Sequence, residues 1–443
     1  MSVAKRVLLI CDIPAYSKTA NTLFDQINAI LKLKSFEVCL LNNRGDIPTG
    51  INLKLFDVIL IHYSIYIGDN NYLTSHAKNK IRKFQGLKAI FIQDEYRFLN
   101  KIHKALLFMK IDILFSVQED AAVLKKIYPA NVLTNLKIIS LLTGCVPEVL
   151  LNEEVLPIKD RKTDVFYRGR KVPYWLGRVA EEKWKIGKTF IEQTSGLDFN
   201  LDIKWEEGER IYGDDWILRI KSAKAVLGVE SSATLLDYDG KIFHSVEKIF
   251  NINPDASFED VENECFKDQD GKILLSAISP RCFEAAALKT ALILFPGTYS
   301  GRLVANRHYI KLEKDFSNLN QVLGFLKDDK YLQNLVDTTF NEVVLNHINS
   351  YEHMSSAVDK SLLDQIIVRN KKKSIIVSDF DYEKMRIQNY YNFVTMLEYY
   401  FIIYFGILRD LVPTNGFTIL SLKQIYWKLR KRFLDLFWRK NGI

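Results

Sequence analysis

The chain has 443 residues and a mass of 51.4 kDa, which is too long for one ordinary domain and predicts two or three. Its composition is 48% hydrophobic and 26% charged, with little glycine or proline, which excludes a largely disordered or collagen-like chain. Much of the net charge of +8 lies between residues 423 and 440, where seven basic side chains face one carboxylate. Nucleic-acid-binding proteins usually spread basic residues over a folded face, so this concentration argues against a nucleic-acid partner.

From the start to about residue 145, short apolar runs alternate with stretches of helical periodicity. The predicted strands cover residues 7–11, 37–41, 57–62, 88–92, 112–116 and 137–140. The predicted helices between them cover residues 19–33, 76–84, 96–109 and 118–127. Apolar runs without polar alternation are typical of strands buried on both faces, and hence of a parallel sheet between helices. Residues 1–150 are therefore predicted to form a Rossmann-like domain.

Residues 151–162 are polar and contain Pro157, and we interpret them as a linker. The same alternation then begins again, with strands predicted at residues 164–167, 201–205, 225–229, 290–295 and 309–312. Helices are predicted at residues 176–193, 216–223, 280–288, 319–326 and 331–346, and residues 237–272 form a polar insertion with one or two helices. The pattern predicts a second Rossmann-like domain over residues 163–365 and a helical extension over 370–443.

The most informative stretch is ISPRCFEAAALKTALILFPGTYSG, at residues 278–301. Ser279 is a good N-cap and Pro280 suits the first helical turn, so a helix is predicted to start here. A helix N-terminus at the mouth of a sheet is a ready-made anion site, to which Arg281 adds a planar guanidinium. One turn further along, the carboxylate of Glu284 could accept both hydroxyls of a ribose.

This stretch resembles the nucleotide-sugar signature of GT-B glycosyltransferases, E-A-x-A-C-G-x-P-V-V, whose Glu binds the donor ribose. Here the run EAAA beginning at Glu284 matches, whereas Lys289 replaces the Gly and Ala291 replaces the Pro. Ser276 stands where many retaining members place an earlier Glu, so the Glu pair of those enzymes does not carry over. The alternative interpretation is an ordinary capped helix with Glu284 exposed to solvent.

Three further segments strengthen the resemblance: FYRGRKVPYWLG from residue 166, GVESSATLLDYDG from 228 and RHYIKLEKDFSN from 307. With the stretch above, they are similar to a group 1-like subgroup of bacterial surface-polysaccharide glycosyltransferases, over roughly residues 160–330. The resemblance implies a GT-B fold, with two Rossmann-like domains facing a cleft and a helical C-terminal extension. The candidate donor-binding residues are Arg168, Gly169, Arg170, Glu230, Ser231, Ser279, Arg281, Glu284, Tyr299, Ser300 and Gly301.

The first half should hold the acceptor, and four residues there follow predicted strands: Asp12, His62, Asp94 and Glu95. If the strands are parallel, these side chains share one sheet edge, where a carboxylate or histidine could take the proton of an acceptor hydroxyl. Asp94 and Glu95 could instead cap the following helix, and His62 could be a satisfied, semi-buried histidine. We expect no metal site and no cofactor besides the nucleotide-sugar substrate.

A final helix is predicted from about residue 418 to 439, with an apolar stripe flanked by basic residues and aromatics. These features are typical of a helix lying in an anionic membrane surface; the alternative is a helix docked on the protein body or on a partner. Five cysteines without a C-x-x-C pair and an N-terminal apolar run too short for a signal peptide predict a cytoplasmic protein. We expect it on the inner face of the cytoplasmic membrane.

The expected function is transfer of a sugar from a nucleotide-diphosphate or CMP donor to a growing, lipid-linked bacterial surface glycan such as O-antigen or capsule. Two nearer alternatives are a GT-B-like epimerase and a polyol-phosphate transferase. From another class, the chain could be a non-catalytic, membrane-associated assembly partner with the same fold.

Overall fold

The computed structural model describes residues 5–369. The N-terminal part has six strands, β1 (Lys5–Cys11), β2 (Phe36–Asn42), β3 (Val58–Ile61), β4 (Leu87–Ile92), β5 (Ile113–Ser116) and β6 (Lys137–Ser140). Its helices are α1 (Asn21–Leu31), α2 (Ser75–Lys83), α3 (Leu99–Met109) and α4 (Ala121–Ile127). The strands form one parallel sheet in the order β2-β1-β3-β4-β5-β6, so the prediction for this half is confirmed. β3, β4 and β5 are buried throughout because helices cover both faces.

The C-terminal part has seven strands, β7 (Thr163–Arg168), β8 (Leu201–Lys204), β9 (Ala223–Gly228), β10 (Ser231–Ala233), β11 (Leu275–Ala277), β12 (Ala291–Leu294) and β13 (Ile310–Lys311). Its helices are α5 (Val179–Gln193), α6 (Gly213–Lys221), α7 (Lys241–Ile252), α8 (Phe258–Cys265), α9 (Pro280–Ala287), α10 (Leu319–Lys327), α11 (Asp329–Thr339) and α12 (Tyr351–Arg369). Five strands form a parallel sheet in the order β13-β12-β9-β7-β8, and β10 pairs with β11 antiparallel. The two sheets confirm the predicted pair of Rossmann-like folds.

The structure differs from the sequence pattern at three places in this half, and the first is α12, which was not predicted. The hairpin of β10 and β11 was not predicted, because each strand is only three residues long and has no continuous apolar run. The predicted helix over residues 331–346 is interrupted: α11 ends at Thr339 and a wider π-helical turn, Phe340–Val344, follows. The polar insertion at residues 237–272 forms α7 and α8, as predicted.

The helix α12 lies at the end of the range 163–365 but packs on the N-terminal sheet. Its apolar residues recur every three or four positions and join the core beside α1 and β4. They are Tyr351, Met354, Val358, Leu362 and Ile366. Asp359 accepts hydrogen bonds from the backbone N–H (2.9 Å) and hydroxyl (2.6 Å) of Ser35, which fixes the helix there. Beside it, the backbone of Val146 donates to the carbonyl of Asn349 (2.8 Å), so the two connections between the domains run side by side.

The polar insertion attaches the C-terminal domain to the N-terminal one at the other end of the cleft. The backbone N–H of Asp237 donates to the carbonyl of Tyr96 (2.8 Å), and that of Leu99 donates to the carbonyl of Asp237 (3.2 Å). The N–H of Asn100 donates to the carbonyl of Tyr238 (2.9 Å). This short ladder joins the two domains next to residues 96–100.

The predicted extension over residues 370–443, with its basic terminal helix, lies outside the described residues. Within residues 5–369, no helix has both the length and the apolar composition that crossing a bilayer requires.

Candidate functional site

A cavity of about 300 Å³, here called cavity 1, lies at the carboxyl ends of β7 and β9. The start of α1 from the N-terminal domain closes it from the opposite side. Ligands of open α/β sheets bind outside the carboxyl ends of the strands, so this is where a ligand of the second sheet is expected. Eight of the eleven candidate donor-binding residues line cavity 1: Arg168, Gly169, Arg170, Glu230, Ser231, Ser279, Arg281 and Glu284.

The N-terminus of α9 opens into cavity 1 together with Arg281. No side chain caps this helix and its first turn contains no acidic residue, so its dipole is available to an anion. The guanidinium of Arg281 donates to the carbonyl of Arg168 (2.7 Å) and lies 4.9 Å from the ring centroid of Tyr167 and 5.2 Å from that of Trp216. Its Nε is buried and has no hydrogen-bond partner among residues 5–369. Arg281 is therefore a cation held in a fixed orientation, which suits a phosphate.

The other two candidate arginines are less available to a ligand. Arg168 forms an ion pair with Asp202 (2.8 Å) and its side chain is only 10% exposed, so its charge is largely neutralised. Arg170 lies at the exposed rim and pairs with Glu207 at 3.2 Å. A phosphate could draw Arg170 from this solvated pair at little cost, because exposed pairs contribute little energy.

Lys183, on α5, is a cation of this site that the sequence did not predict. It lines cavity 1 and is half-buried. Burial lowers the pKa of Lys183, Asp94 raises it, and the neighbouring Arg170 and Arg281 lower it further. Gly169 lets α5 approach this closely, since a Cβ on Gly169 would lie 2.4 Å from the carbonyl oxygen of Lys183. Gly169 thus serves helix packing, and it brings Lys183 into a cation cluster with Arg170 and Arg281.

Glu284 is buried, which excludes the alternative of a solvent-exposed carboxylate. It is 5% exposed, and the indole N–H of Trp216 donates to its Oε2 at 2.8 Å. Burial raises the pKa of Glu284, while the Trp216 hydrogen bond and Arg281 lower it. Its second oxygen, Oε1, accepts no hydrogen bond from the residues that the structure describes and is available to a ligand in cavity 1.

Tyr299, Ser300 and Gly301 do not line cavity 1. All three have positive φ (47°, 51° and 65°), and the buried Tyr299 hydroxyl donates to the carbonyl of Phe295 at 2.6 Å. The backbone N–H of Tyr299 donates to Oε1 of Glu230 (2.6 Å). These residues therefore build the loop after β12, and one carboxylate oxygen of Glu230 holds that loop in place.

A second cavity of about 170 Å³, here called cavity 2, lies between the domains and shares Lys183, Ser231 and Pro280 with cavity 1. Asp94 lines it with a side chain that is 59% exposed, and the guanidinium of Arg97 lies 4.0 Å away. No side chain caps α3, so Asp94 and Glu95 are not its N-caps. Cavity 2 thus places an open carboxylate next to the cation cluster.

Glu95 lines cavity 2 but its side chain is buried. It is 0% exposed, with Oε1 accepting from the Tyr128 hydroxyl (2.6 Å) and Oε2 from the Ser116 hydroxyl (2.8 Å). Burial raises the pKa of Glu95 to about 8, against the lowering effect of these hydrogen bonds. The carboxyl group is therefore enclosed in the N-terminal domain, away from a substrate.

Replacing Glu95 by glutamine should change how stability depends on pH. Between an unfolded pKa near 4.5 and a folded pKa of about 8, the folded state binds the proton more tightly. Stability should therefore fall as pH rises across this window, by about 1.4 kcal/mol for each pKa unit between the two states. Glu95→Gln should remove this fall. Urea unfolding midpoints of the wild type and the variant at pH 5 and pH 8.5 measure this change. The same loss of stability in both proteins between these pH values would contradict the raised pKa of Glu95.

His62 and Asp12 lie at the predicted sheet edge, but neither lines cavity 1 or 2. His62 is 0% exposed, and its Nδ1 accepts from the backbone N–H of Ser64 (3.1 Å). Burial lowers the pKa of His62 to about 3, so the ring is neutral. Asp12 lies 3.8 Å from the guanidinium of Arg44. His62 is thus buried more completely than the alternative interpretation expected, and it is not fully satisfied, because its Nε2 has no hydrogen-bond partner among residues 5–369.

Within the part of the chain that the structure describes, no group of three or more His, Cys, Asp or Glu side chains could hold a metal ion. The insertion begins with the run DYD at residues 237–239, a formal D-x-D, and its Asp237 accepts from the backbone N–H of Gly240 (2.7 Å) and of Phe243 (2.8 Å). Its carboxylate is therefore a cap at the start of α7.

The fold is similar to that of solved glycosyltransferases. An alpha-glucosyltransferase in complex with UDP-glucose and DNA containing an abasic site has a TM-score of 0.50 and 10% identity, over 82% of this chain and 99% of that one. An alpha-glucosyltransferase with UDP and a 13-mer DNA has a TM-score of 0.48 and 9% identity, over 82% and 100%. Anabaena Alr3699/HepE in complex with UDP has a TM-score of 0.43 and 8% identity, over 81% and 100%.

No family model and no curated protein matches the sequence. The structural similarity establishes a GT-B fold, in which two Rossmann-like domains face a cleft.

Proposed function

We propose that this GT-B protein is a glycosyltransferase that moves a sugar from a nucleoside-diphosphate donor to an acceptor hydroxyl. The observation that carries the proposal is the junction of the two cavities. Cavity 1 presents a buried carboxylate, a helix N-terminus and cations, and it shares the wall formed by Lys183, Ser231 and Pro280 with cavity 2, where Asp94 is accessible. The fold supports the same proposal.

The donor would lie in cavity 1 with its ribose at Oε1 of Glu284 and its diphosphate at the N-terminus of α9. When the bond between the anomeric carbon and the phosphate oxygen breaks, negative charge grows on the diphosphate. Arg281 and Lys183 are already positioned there, so they stabilise that charge without reorganising. The acceptor would enter cavity 2, where Asp94 can take the hydroxyl proton as the new glycosidic bond forms.

Glu284→Ala should weaken nucleotide binding by about 1.5–3 kcal/mol, because a charge-assisted hydrogen bond to the ribose is lost. Isothermal titration with UDP measures the change. Glu247→Ala is a matched control, because Glu247 also accepts from an indole, that of Trp175 at 3.3 Å, but lies outside both cavities. Equal affinity of the folded Glu284 variant and the wild type would contradict the ribose assignment.

The identity of the nucleotide can be determined by ligand-induced stabilisation. A nucleotide that binds only the folded state raises the melting temperature, and at equal concentration a tighter ligand raises it more. UDP, GDP, CMP and dTDP should be titrated in parallel, and we expect one of them to stabilise the protein. Binding without turnover over a panel of donors would favour the non-catalytic assembly partner, and conversion of the donor without transfer would favour the epimerase.

For the acceptor, we propose a lipid-linked bacterial surface glycan used at the cytoplasmic face of the membrane. The resemblance over residues 160–330 and the basic C-terminal segment support this choice. Deleting residues 418–443 should reduce binding to anionic vesicles, most clearly at low salt, and leave nucleotide binding intact. Vesicle co-sedimentation measures this. A helix docked on the body predicts instead a less stable truncated protein and no vesicle binding by the full chain.

A further inference from the structure

The helices α2, α3 and α4 cover the same face of the N-terminal sheet, and none of them contains an acidic residue. Their apolar sides fill one core, which leaves their polar sides to form a continuous outer surface. Together they carry eight basic residues, Lys78, Lys80, Arg82, Lys83, Lys101, Lys104, Lys125 and Lys126. Such a single-sign layer over three neighbouring helices is unusual, since soluble surfaces normally mix both signs.

Six of these eight basic side chains are exposed and form no ion pair among residues 5–369. Lys78 and Lys80 are half-buried and bonded, to Asn70 (3.1 Å) and to the carbonyl of Ile47 (2.6 Å). The other six and Lys110, which follows α3, are exposed and form no ion pair within residues 5–369. We call these seven the basic layer: Arg82, Lys83, Lys101, Lys104, Lys110, Lys125 and Lys126.

The basic layer also contains an exposed apolar pair. Leu107 and Phe108, at the end of α3, are 49% and 40% exposed, and the guanidinium of Arg82 lies 4.9 Å from the ring centroid of Phe108. Leu107 borders a groove of about 500 Å³ that Leu133 and Leu136 also line. Basic side chains around protruding apolar ones are typical of surfaces that insert shallowly into a lipid interface.

We propose that the basic layer docks the N-terminal domain onto an anionic membrane surface, independently of the C-terminal segment. Seven cations without an ion pair among residues 5–369 attract anionic headgroups, and Leu107 and Phe108 can enter the apolar region of the bilayer. A nucleic acid would pair with the same cations, but its phosphates would offer nothing to these two side chains. The apolar pair therefore favours lipid.

This docking would also orient the cleft, a step that rests on the proposed function. Residues 93–96 line cavity 2 and come shortly before α3, so the N-terminal ends of these helices lie on the cleft side of the sheet. Five cations of the basic layer, with Leu107 and Phe108, lie at or beyond the C-terminal ends of the helices, away from cavity 2. A membrane along the basic layer would therefore hold the cleft away from the bilayer, and a lipid-linked acceptor would have to extend from the membrane to reach Asp94.

The test compares two full-length variants with equal net charge. One carries Lys83→Glu, Lys104→Glu and Lys125→Glu, one change from each helix. The control carries Lys162→Glu, Lys267→Glu and Lys330→Glu, at exposed lysines of the C-terminal domain. On vesicles of phosphatidylglycerol and phosphatidylcholine at low salt, the layer variant should bind about tenfold or more weakly than the wild type, and the control within about twofold. Equal weakening of both variants would overturn the proposal.

A second variant, Leu107→Ser with Phe108→Ser, separates lipid from nucleic acid. It should weaken vesicle binding and leave any binding to duplex DNA unchanged. Tighter binding of DNA than of anionic vesicles, with no effect of this variant on vesicles, would overturn the proposal. The UDP-induced shift in melting temperature is measured for every variant, because it reports nucleotide binding independently of membrane binding. Failure of the docking proposal can then be distinguished from failure of the proposed transfer activity. If the glutamate variant does not fold, glutamine at the same three positions carries the same expectation with a smaller loss.

Discussion

Replacing Asp94 by asparagine should lower kcat about 10²–10⁴-fold, the usual contribution of a positioned general base. Asparagine keeps the size of the side chain but cannot take a proton from the acceptor. Asp94 is exposed in cavity 2 and pairs only loosely with Arg97, so the change should leave the fold and nucleotide binding intact. Steady-state transfer kinetics and the UDP-induced melting shift measure the two expectations.

Glu95→Gln is the control for this experiment, because it makes the same chemical change at the next residue. The Glu95 side chain is enclosed between Ser116 and Tyr128, so the variant should keep normal kcat. Normal turnover of Asp94→Asn would place the proton acceptor on another residue or on the substrate itself.

Arg281→Ala should lower kcat about 10²–10³-fold, because a preorganised cation at a developing charge is worth that much. Arg281→Lys should recover only part of the activity, since an ammonium lacks the planar fork that fits phosphate oxygens. The melting temperature should change less than kcat does, because the contacts of the Arg281 side chain lie at the cavity wall and not in the core of the domain.

Arg219→Ala is the matched control for Arg281. Arg219 is 57% exposed and pairs with Asp202 at 3.2 Å, but it lies outside both cavities. It should keep full activity. Equal losses of kcat in the two variants would show that removing any nearby positive charge lowers kcat. That result would contradict a specific contact between Arg281 and the phosphate.

The sequence predicted the fold correctly where a continuous apolar run corresponds to a strand that is buried in the structure. β3, β4 and β5 are continuous apolar runs buried on both faces, so their sequence alone identifies them. β10 and β11 are not identifiable in this way, because their three-residue pairing depends on the close approach of two distant segments. The same holds for α12, whose helical period is visible but whose partner, the N-terminal sheet, is not.

Within the site, local signals predicted the residues around the start of α9. Ser279, Pro280 and Arg281 form a helix-start pattern, and all three line cavity 1. Lys183 lies in the charged run EEKWK of α5, which is typical of a solvated helix face, and only the packing of Gly169 against α5 places it in the site. Tyr299 follows the end of β12, a position where ligand-binding residues are common. Its hydroxyl donates instead to the carbonyl of Phe295 and so stabilises the loop.

The return of α12 to the N-terminal sheet has a consequence for synthesis. Chains emerge from the ribosome N-terminal end first, at about 5–20 residues per second, and domains generally fold as units in that order. Here the N-terminal sheet lacks a covering helix until residues 351–369 have emerged. During that interval, the apolar side chains that later contact Met354, Val358 and Leu362 remain open to water. The C-terminal sheet is therefore synthesised in full before the N-terminal core receives its last helix.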